Sequence, residues 1–187
     1  MMEQKMATYN IMVVEDDVNM VEFYKTSLET IIKQKPYIFS FTSVSDELFK
    51  TVKENTIDLF VIDIHLGKYD GIELSSQLLK EVDSATFLFI SGFDYTYESF
   101  ENLDGKCIYD FMLKPISVNE LAIRSKGLLN VSRSFNSFLK HVKNIEGEYI
   151  NLKLGSLRDR YFDMVKQDRY MIQELKRQVK TDHINDL

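Results

Sequence analysis

The chain has 187 residues, 44% of them hydrophobic, and a formal net charge of −6, which suits one domain of ordinary size with a packed core and a modest appendage. No window approaches the roughly 20 apolar residues that a membrane-spanning helix needs, and the N-terminal MMEQKMATYN has no apolar signal-peptide run, so no membrane is expected and the expected address is the cytoplasm. The single cysteine, Cys107, excludes an intrachain disulfide and a thiolate zinc site; a buried, inert thiol is its expected role.

Five short apolar runs punctuate the chain. The first, YNIMVV at 9–14, leads into Glu15, Asp16 and Asp17, after which Val18, Val21, Tyr24, Leu28 and Ile31 recur at helical spacing. Asp17 is placed to cap that helix. The second run, YIFSFTSV at 37–44, alternates. The third, IDLFVID at 57–63, closes on Asp63 and is followed by LGKYDG and by Ile72, Leu74, Leu78, Leu79 and Val82 at helical spacing, with Gly71 supplying a tight turn before that helix. The fourth, TFLFIS at 86–91, closes on Ser91; the fifth, CIYDFML at 107–113, is followed by Lys114 and Pro115.

All runs but the second are nearly continuous, as strands buried on both faces must be, and parallel sheets require such strands because helices cover each side. Five alternations of strand and helix predict a doubly wound α/β domain with a five-stranded parallel sheet. In such sheets functional groups collect outside the carboxyl ends of the strands. Glu15, Asp16, Asp63, Ser91 and Lys114 all fall at such ends, so one rim receives three carboxylates, a hydroxyl and an ammonium. Carboxylates gathered there repel one another unless a cation sits among them. A hard divalent metal is the natural occupant, and magnesium is commonly held by one or two carboxylates with several waters.

The segments IMVVEDD (11–17), LFVIDIHLGKYDGIEL (59–74), FLFISG (87–92) and FMLKPIS (111–117) resemble the receiver domains of two-component response regulators. Each alone is a weak signal. Their order and the successive spacings of 47, 28 and 23 residues from Asp16 to Asp63 to Ser91 to Lys114 make the combination specific. The resemblance covers about 8–127 and implies a flavodoxin-like receiver over 1–127, with an α-helical extension over 128–187.

By the same resemblance, Asp63 is the phosphoacceptor, taking a phosphoryl group from a histidine kinase or phosphotransfer protein with Mg2+. Asp16 and Asp63 are implied as direct metal ligands, Glu15 as a mainly water-mediated one, and the His65 backbone carbonyl as the last. Ser91 and Lys114 bind phosphoryl oxygens, and Pro115 follows Lys114 in a cis bond that turns the lysine inward. Phe111 stands at the aromatic switch position, moving inward when Ser91 shifts; a core aromatic is the plain alternative. Gly92 replaces a commoner alanine and leaves room near the phosphoryl oxygen, while Gly67 stands where many receivers have proline and is expected to loosen its loop. His65, expected to be exposed, and Phe93 occupy positions that tune dephosphorylation. The protein is expected to switch partner contacts rather than to act as an enzyme.

Charge divides the chain: residues 1–125 carry 11 Lys and Arg against 21 Asp and Glu, whereas 126–187 carry 12 against 8. Such a split suggests different partners, but a mildly basic helical tail is more often a solvated face than a nucleic-acid site. Within the tail Leu128, Val131, Phe135, Phe138, Val142, Ile145, Tyr149 and Leu152 form a heptad seam. Leu157, Tyr161, Met164, Met171, Leu175 and Val179 make a second stripe, with Gly147 and Gly155 marking a break. Core packing and homodimerisation account for such stripes equally well.

Three rival readings remain. A transcriptional or RNA-binding regulator is one, since RSKGLLN at 124–130 faintly resembles a helix of antiterminator modules, though it lies very close to the receiver. A phosphotransfer histidine at His141 fits poorly, because Asn144 stands where glycine belongs. A haloacid-dehalogenase-like phosphatase needs a second aspartate two residues after the nucleophile, and His65 is there instead.

Overall fold

The computed structural model describes residues 9–32, 35–82, 84–93, 100, 103 and 107–143, with the backbone alone over 135–143. In chain order the elements are β1 (Asn10–Val14), α1 (Val18–Ile31), β2 (Tyr37–Phe41), α2 (Asp46–Glu54), β3 (Leu59–Asp63), β4 (His65–Leu66), β5 (Tyr69–Asp70), α3 (Gly71–Leu78), β6 (Thr86–Ser91), β7 (Ile108–Leu113) and α4 (Val118–Lys143). The five apolar runs become β1, β2, β3, β6 and β7. They form one sheet in the order β2-β1-β3-β6-β7, every pair parallel.

Burial follows position in the sheet. All residues of the central strands β3 and β6 are buried, as two helix-covered faces demand. The alternating second run becomes the edge strand β2, which exposes Tyr37 and Ser40. β7 is the other edge. Its run reads as continuous, yet Tyr109, Asp110 and Phe111 are only half-buried, because an edge strand has a neighbour on one side alone. Phe60, Phe87 and Phe89 pack ring against ring in the core with centroids 5.1 and 5.5 Å apart, and each such ring contributes about 1.5–3 kcal/mol through burial. Cys107 is buried as expected.

Helix starts are set by short polar side chains. Asp17 caps α1, its carboxylate accepting from the Asn19 amide at 2.8 Å; Ser45 caps α2 and Asp70 caps α3. The apolar face of α1 buries Val21, Tyr24 and Leu28 against the sheet. At the head of α3, Gly71 donates its amide to the Ile64 carbonyl at 2.7 Å. A Cβ there would collide with the Asp63 carbonyl oxygen and with Ile62 and Ile64, so the closeness of the backbones, not a special dihedral angle, requires glycine.

Gly67 differs from its expectation. It takes a left-handed φ of 62° and turns the chain between β4 and β5, which pair antiparallel. Glycine reaches that conformation without steric cost, so it forms a defined hairpin rather than a loosened loop.

α4 passes through 127 and 128 without interruption, and the chain divides into compact units at Leu139 and Lys140. Leu121, Ser125, Leu128, Leu129 and Ser132 are buried within the first unit. The seam expected from Leu128 onward therefore begins inside the first unit's core. Phe135, Phe138 and Val142 lie on the α4 backbone; Ile145, Tyr149, Leu152 and the second stripe lie outside the described residues, as does the side chain of His141. No helix among the described residues is long and apolar enough to cross a membrane.

Candidate functional site

The carboxyl ends of β1, β3 and β7 bring Glu15, Asp63 and Lys114 into direct contact. The Lys114 ammonium donates to Asp63 Oδ2 at 2.7 Å and to Glu15 Oε2 at 3.0 Å. Glu15 and Asp63 are buried, and the lysine side chain is 27% exposed. Asp16 is exposed beside them, and one carboxylate oxygen from each of Glu15, Asp16 and Asp63 lies within 4.8 Å of the other two.

Backbone contacts hold these groups in place. The Glu15 amide donates to the Phe41 carbonyl at 3.1 Å, fastening the segment after β1 to the end of β2. The His65 amide donates to Asp63 Oδ1 at 3.0 Å. Lys114 is aligned from its own amide, which donates to the Ser91 carbonyl at 2.7 Å, and its bond to Pro115 is cis.

Electrostatically the cluster is one cation short. Three carboxylates face one ammonium, and burial pushes the Glu15 carboxyl up to about 7 despite the Lys114 hydrogen bond, with the Asp63 charge adding to the rise. Burial opposes the charged form of Lys114, but the hydrogen bonds to Asp63 and Glu15 outweigh it and hold the ammonium above its ordinary value. A set of oxygen donors with uncompensated negative charge and one member open to solvent fits a hard divalent cation.

The remaining expected residues are close in the fold but engaged locally. Ser91 is fully buried, and its hydroxyl accepts from the Phe93 amide at 2.9 Å. Among the described residues, a Cβ on Gly92 would meet nothing within 4 Å. Phe111 is half-buried and stacks on Phe100 with centroids 6.0 Å apart. The His65 side chain is exposed, as expected, and its ring meets that of Phe93 at 5.1 Å.

One member of the site escaped the sequence reading. Tyr24 belongs to the apolar face of α1, yet its hydroxyl lies 3.4 Å from Glu15 Oε2, inside the buried cluster. Burial, together with the Glu15 and Asp63 charges, drives its phenol far above the ordinary value, so it keeps its proton. The available signal was a tyrosine at a core position: a buried hydroxyl needs a partner.

A family model for the response regulator receiver domain matches residues 11–126. The chain is similar to the probable transcriptional regulator ycf27 of Cyanidium caldarium, 26% identical over 176 residues, 94% of this chain and 65% of that protein. It is also similar to the alkaline phosphatase synthesis transcriptional regulatory protein PhoP of Bacillus subtilis, 28% identical over 161 residues, 85% of this chain and 65% of that one. The chain thus spans just under two thirds of the length of these relatives. Among solved structures, a CheY-like response regulator receiver domain protein from Methanospirillum hungatei superposes with a TM-score of 0.59 at 18% identity, covering 68% of this chain and 98% of the other. At that identity the likeness speaks for the fold.

Proposed function

The chain belongs to the response regulator receiver domain family, and from that membership we propose that Asp63 accepts a phosphoryl group from a histidine kinase or phosphotransfer protein. The observation that carries the reading is the meeting of Lys114 with Asp63 and Glu15 at one strand rim, with Asp16 alongside.

In this reading Asp16, Asp63 and the His65 carbonyl would hold Mg2+, with Glu15 acting mainly through water. When bound, the ion neutralises charge on the cluster and on the phosphoryl oxygens. An Asp63 carboxylate oxygen attacks phosphorus in line; the new O–P bond forms as the P–N bond to the donor imidazole breaks, and the imidazole leaves with the electron pair. The product is an acyl phosphate. Lys114 transfers its hydrogen bond from Asp63 to a phosphoryl oxygen. Ser91 Oγ, which now accepts from Phe93, still has a proton to donate to another, and Gly92 leaves that approach open. Phe111 follows Ser91 inward and alters the surface around β7.

The receiver extends over the first compact unit, 1–139, rather than ending at 127, because Leu128 and Leu129 are buried within it, and the residues beyond form an extension that pairs two copies. The phosphorylated form acts through protein contact and is a switch rather than a turnover enzyme. A second reading, a transcriptional response regulator, is favoured by the names of ycf27 and PhoP; a mobility shift with DNA or RNA separates the two.

The test is incubation of the full chain with acetyl phosphate, followed by intact-mass measurement. One added phosphoryl group is expected with Mg2+, none with a chelator, and none in Asp63→Asn. Phosphorylation of the Asp63→Asn variant at the parental rate overturns the assignment.

A further inference from the structure

We propose that Tyr24 is a positioning residue for the acidic cluster, its buried hydroxyl holding the Glu15 carboxylate in the orientation in which the cluster takes a divalent cation. This rests on the reading of Asp63 as a metal-dependent phosphoacceptor. Tyr24 is 1% exposed and Glu15 is 1% exposed, so bulk solvent reaches neither side chain. Two donors serve Glu15 Oε2, the Tyr24 hydroxyl at 3.4 Å and Lys114 Nζ at 3.0 Å, while the Asp17 amide reaches Oε1 at 3.4 Å.

The donors on Oε2 differ in permanence. Lys114 is shared with Asp63, and its ammonium shifts toward the phosphoryl group when one arrives, so its hold on Glu15 is not fixed. Tyr24 is fixed in the packed face of α1 and stays. A buried carboxylate left without donors takes up a proton or turns away, and either change weakens its hold on a metal-bound water. Packing does not explain the hydroxyl. Phenylalanine fills the same place on an apolar helix face, and burying a phenol oxygen is unfavourable unless it makes a hydrogen bond.

The experiment compares the full chain with Tyr24→Phe, which keeps the ring and removes the oxygen. Mn2+ affinity is read from free Mn2+ by electron paramagnetic resonance, and the Mg2+ dependence of phosphorylation by acetyl phosphate from intact mass. The Mn2+ dissociation constant and the half-saturating Mg2+ should both rise roughly three- to tenfold. The limiting rate at saturating metal should change by less than about twofold, and the affinity effect should vanish in a Glu15→Gln background. Parental Mn2+ affinity in Tyr24→Phe overturns the proposal, as does an equal loss in the Glu15→Gln background. Loss of the folded state in Tyr24→Phe also overturns it, since the hydroxyl is then a structural requirement. If the parent takes up phosphate while Tyr24→Phe binds metal normally, only the role of Tyr24 fails; a parent that takes up neither metal nor phosphate overturns the phosphoacceptor reading and this proposal together.

Discussion

Lys114 and Asp63 lie 51 residues apart in the chain and 2.7 Å apart in space, Nζ to Oδ2. The contact joins the ends of β7 and β3, two strands that do not touch because β6 runs between them. Spanning that gap takes a side chain as long as lysine, and the sheet aims it at Asp63.

Replacing Lys114 with alanine separates its roles. The metal-free protein should lose roughly 1–3 kcal/mol in urea unfolding, less than for a fully buried pair, because two carboxylates are left without their cation. Divalent metal should still bind. The conformational response to beryllofluoride, read as amide shifts around Phe111, should collapse. Parental shifts in Lys114→Ala would show that another group couples the site to Phe111.

The raised Glu15 carboxyl makes stability depend on pH. Its folded value is about 7 against an ordinary 4.5, so the protonated form is favoured by folding. That contribution is complete below about 4.5 and is lost as pH rises through about 7. In the presence of a chelator, unfolding free energy should fall by on the order of 1–3 kcal/mol between about pH 5 and pH 8, and Glu15→Gln should flatten the profile. A Glu15→Gln profile as steep as the parent's would assign the titration elsewhere.

Gly71→Ala tests the packing that holds the site. The new Cβ meets the Asp63 carbonyl, so α3 must retreat from β3. A cost of about 1–3 kcal/mol is expected from overpacking, with slower uptake of phosphate from acetyl phosphate because the Asp63 backbone shifts. Unchanged stability in chemical denaturation would mean that α3 moves freely there.

Self-association is predicted for the full chain through the heptad pattern that continues beyond Lys143, since two copies of one apolar stripe can cover each other about a two-fold axis. The comparison for sedimentation equilibrium is a chain ending at Leu139, where the compact unit ends. A cut after Gly127 would remove Leu128 and Leu129, which are buried in the first unit. The full chain should be dimeric at tens of micromolar and the shorter one monomeric. Equal association of both would place the interface on the first unit.

Strand runs, their parallel arrangement and the rim carrying Glu15, Asp16, Asp63, Ser91 and Lys114 were legible in the residues alone. Burial on both faces makes a strand read as a continuous apolar run, and parallel connectivity sends all the strand ends to one side. Asp17 was legible too, because capping restricts residue type locally; Gly71 was read as a tight turn, and only the packed backbone of β3 shows that close approach is what demands glycine. The β4–β5 hairpin was not, since strands of two residues carry no periodicity. Nor was the burial of Leu128 within the first unit, because a stripe at three- and four-residue spacing identifies an apolar face without saying what covers it. Tyr24 shows the limit most clearly. Its place on the inner face of α1 follows from spacing, but the partner of its hydroxyl depends on how far that helix is rotated and shifted against the end of β1, which long-range packing alone decides.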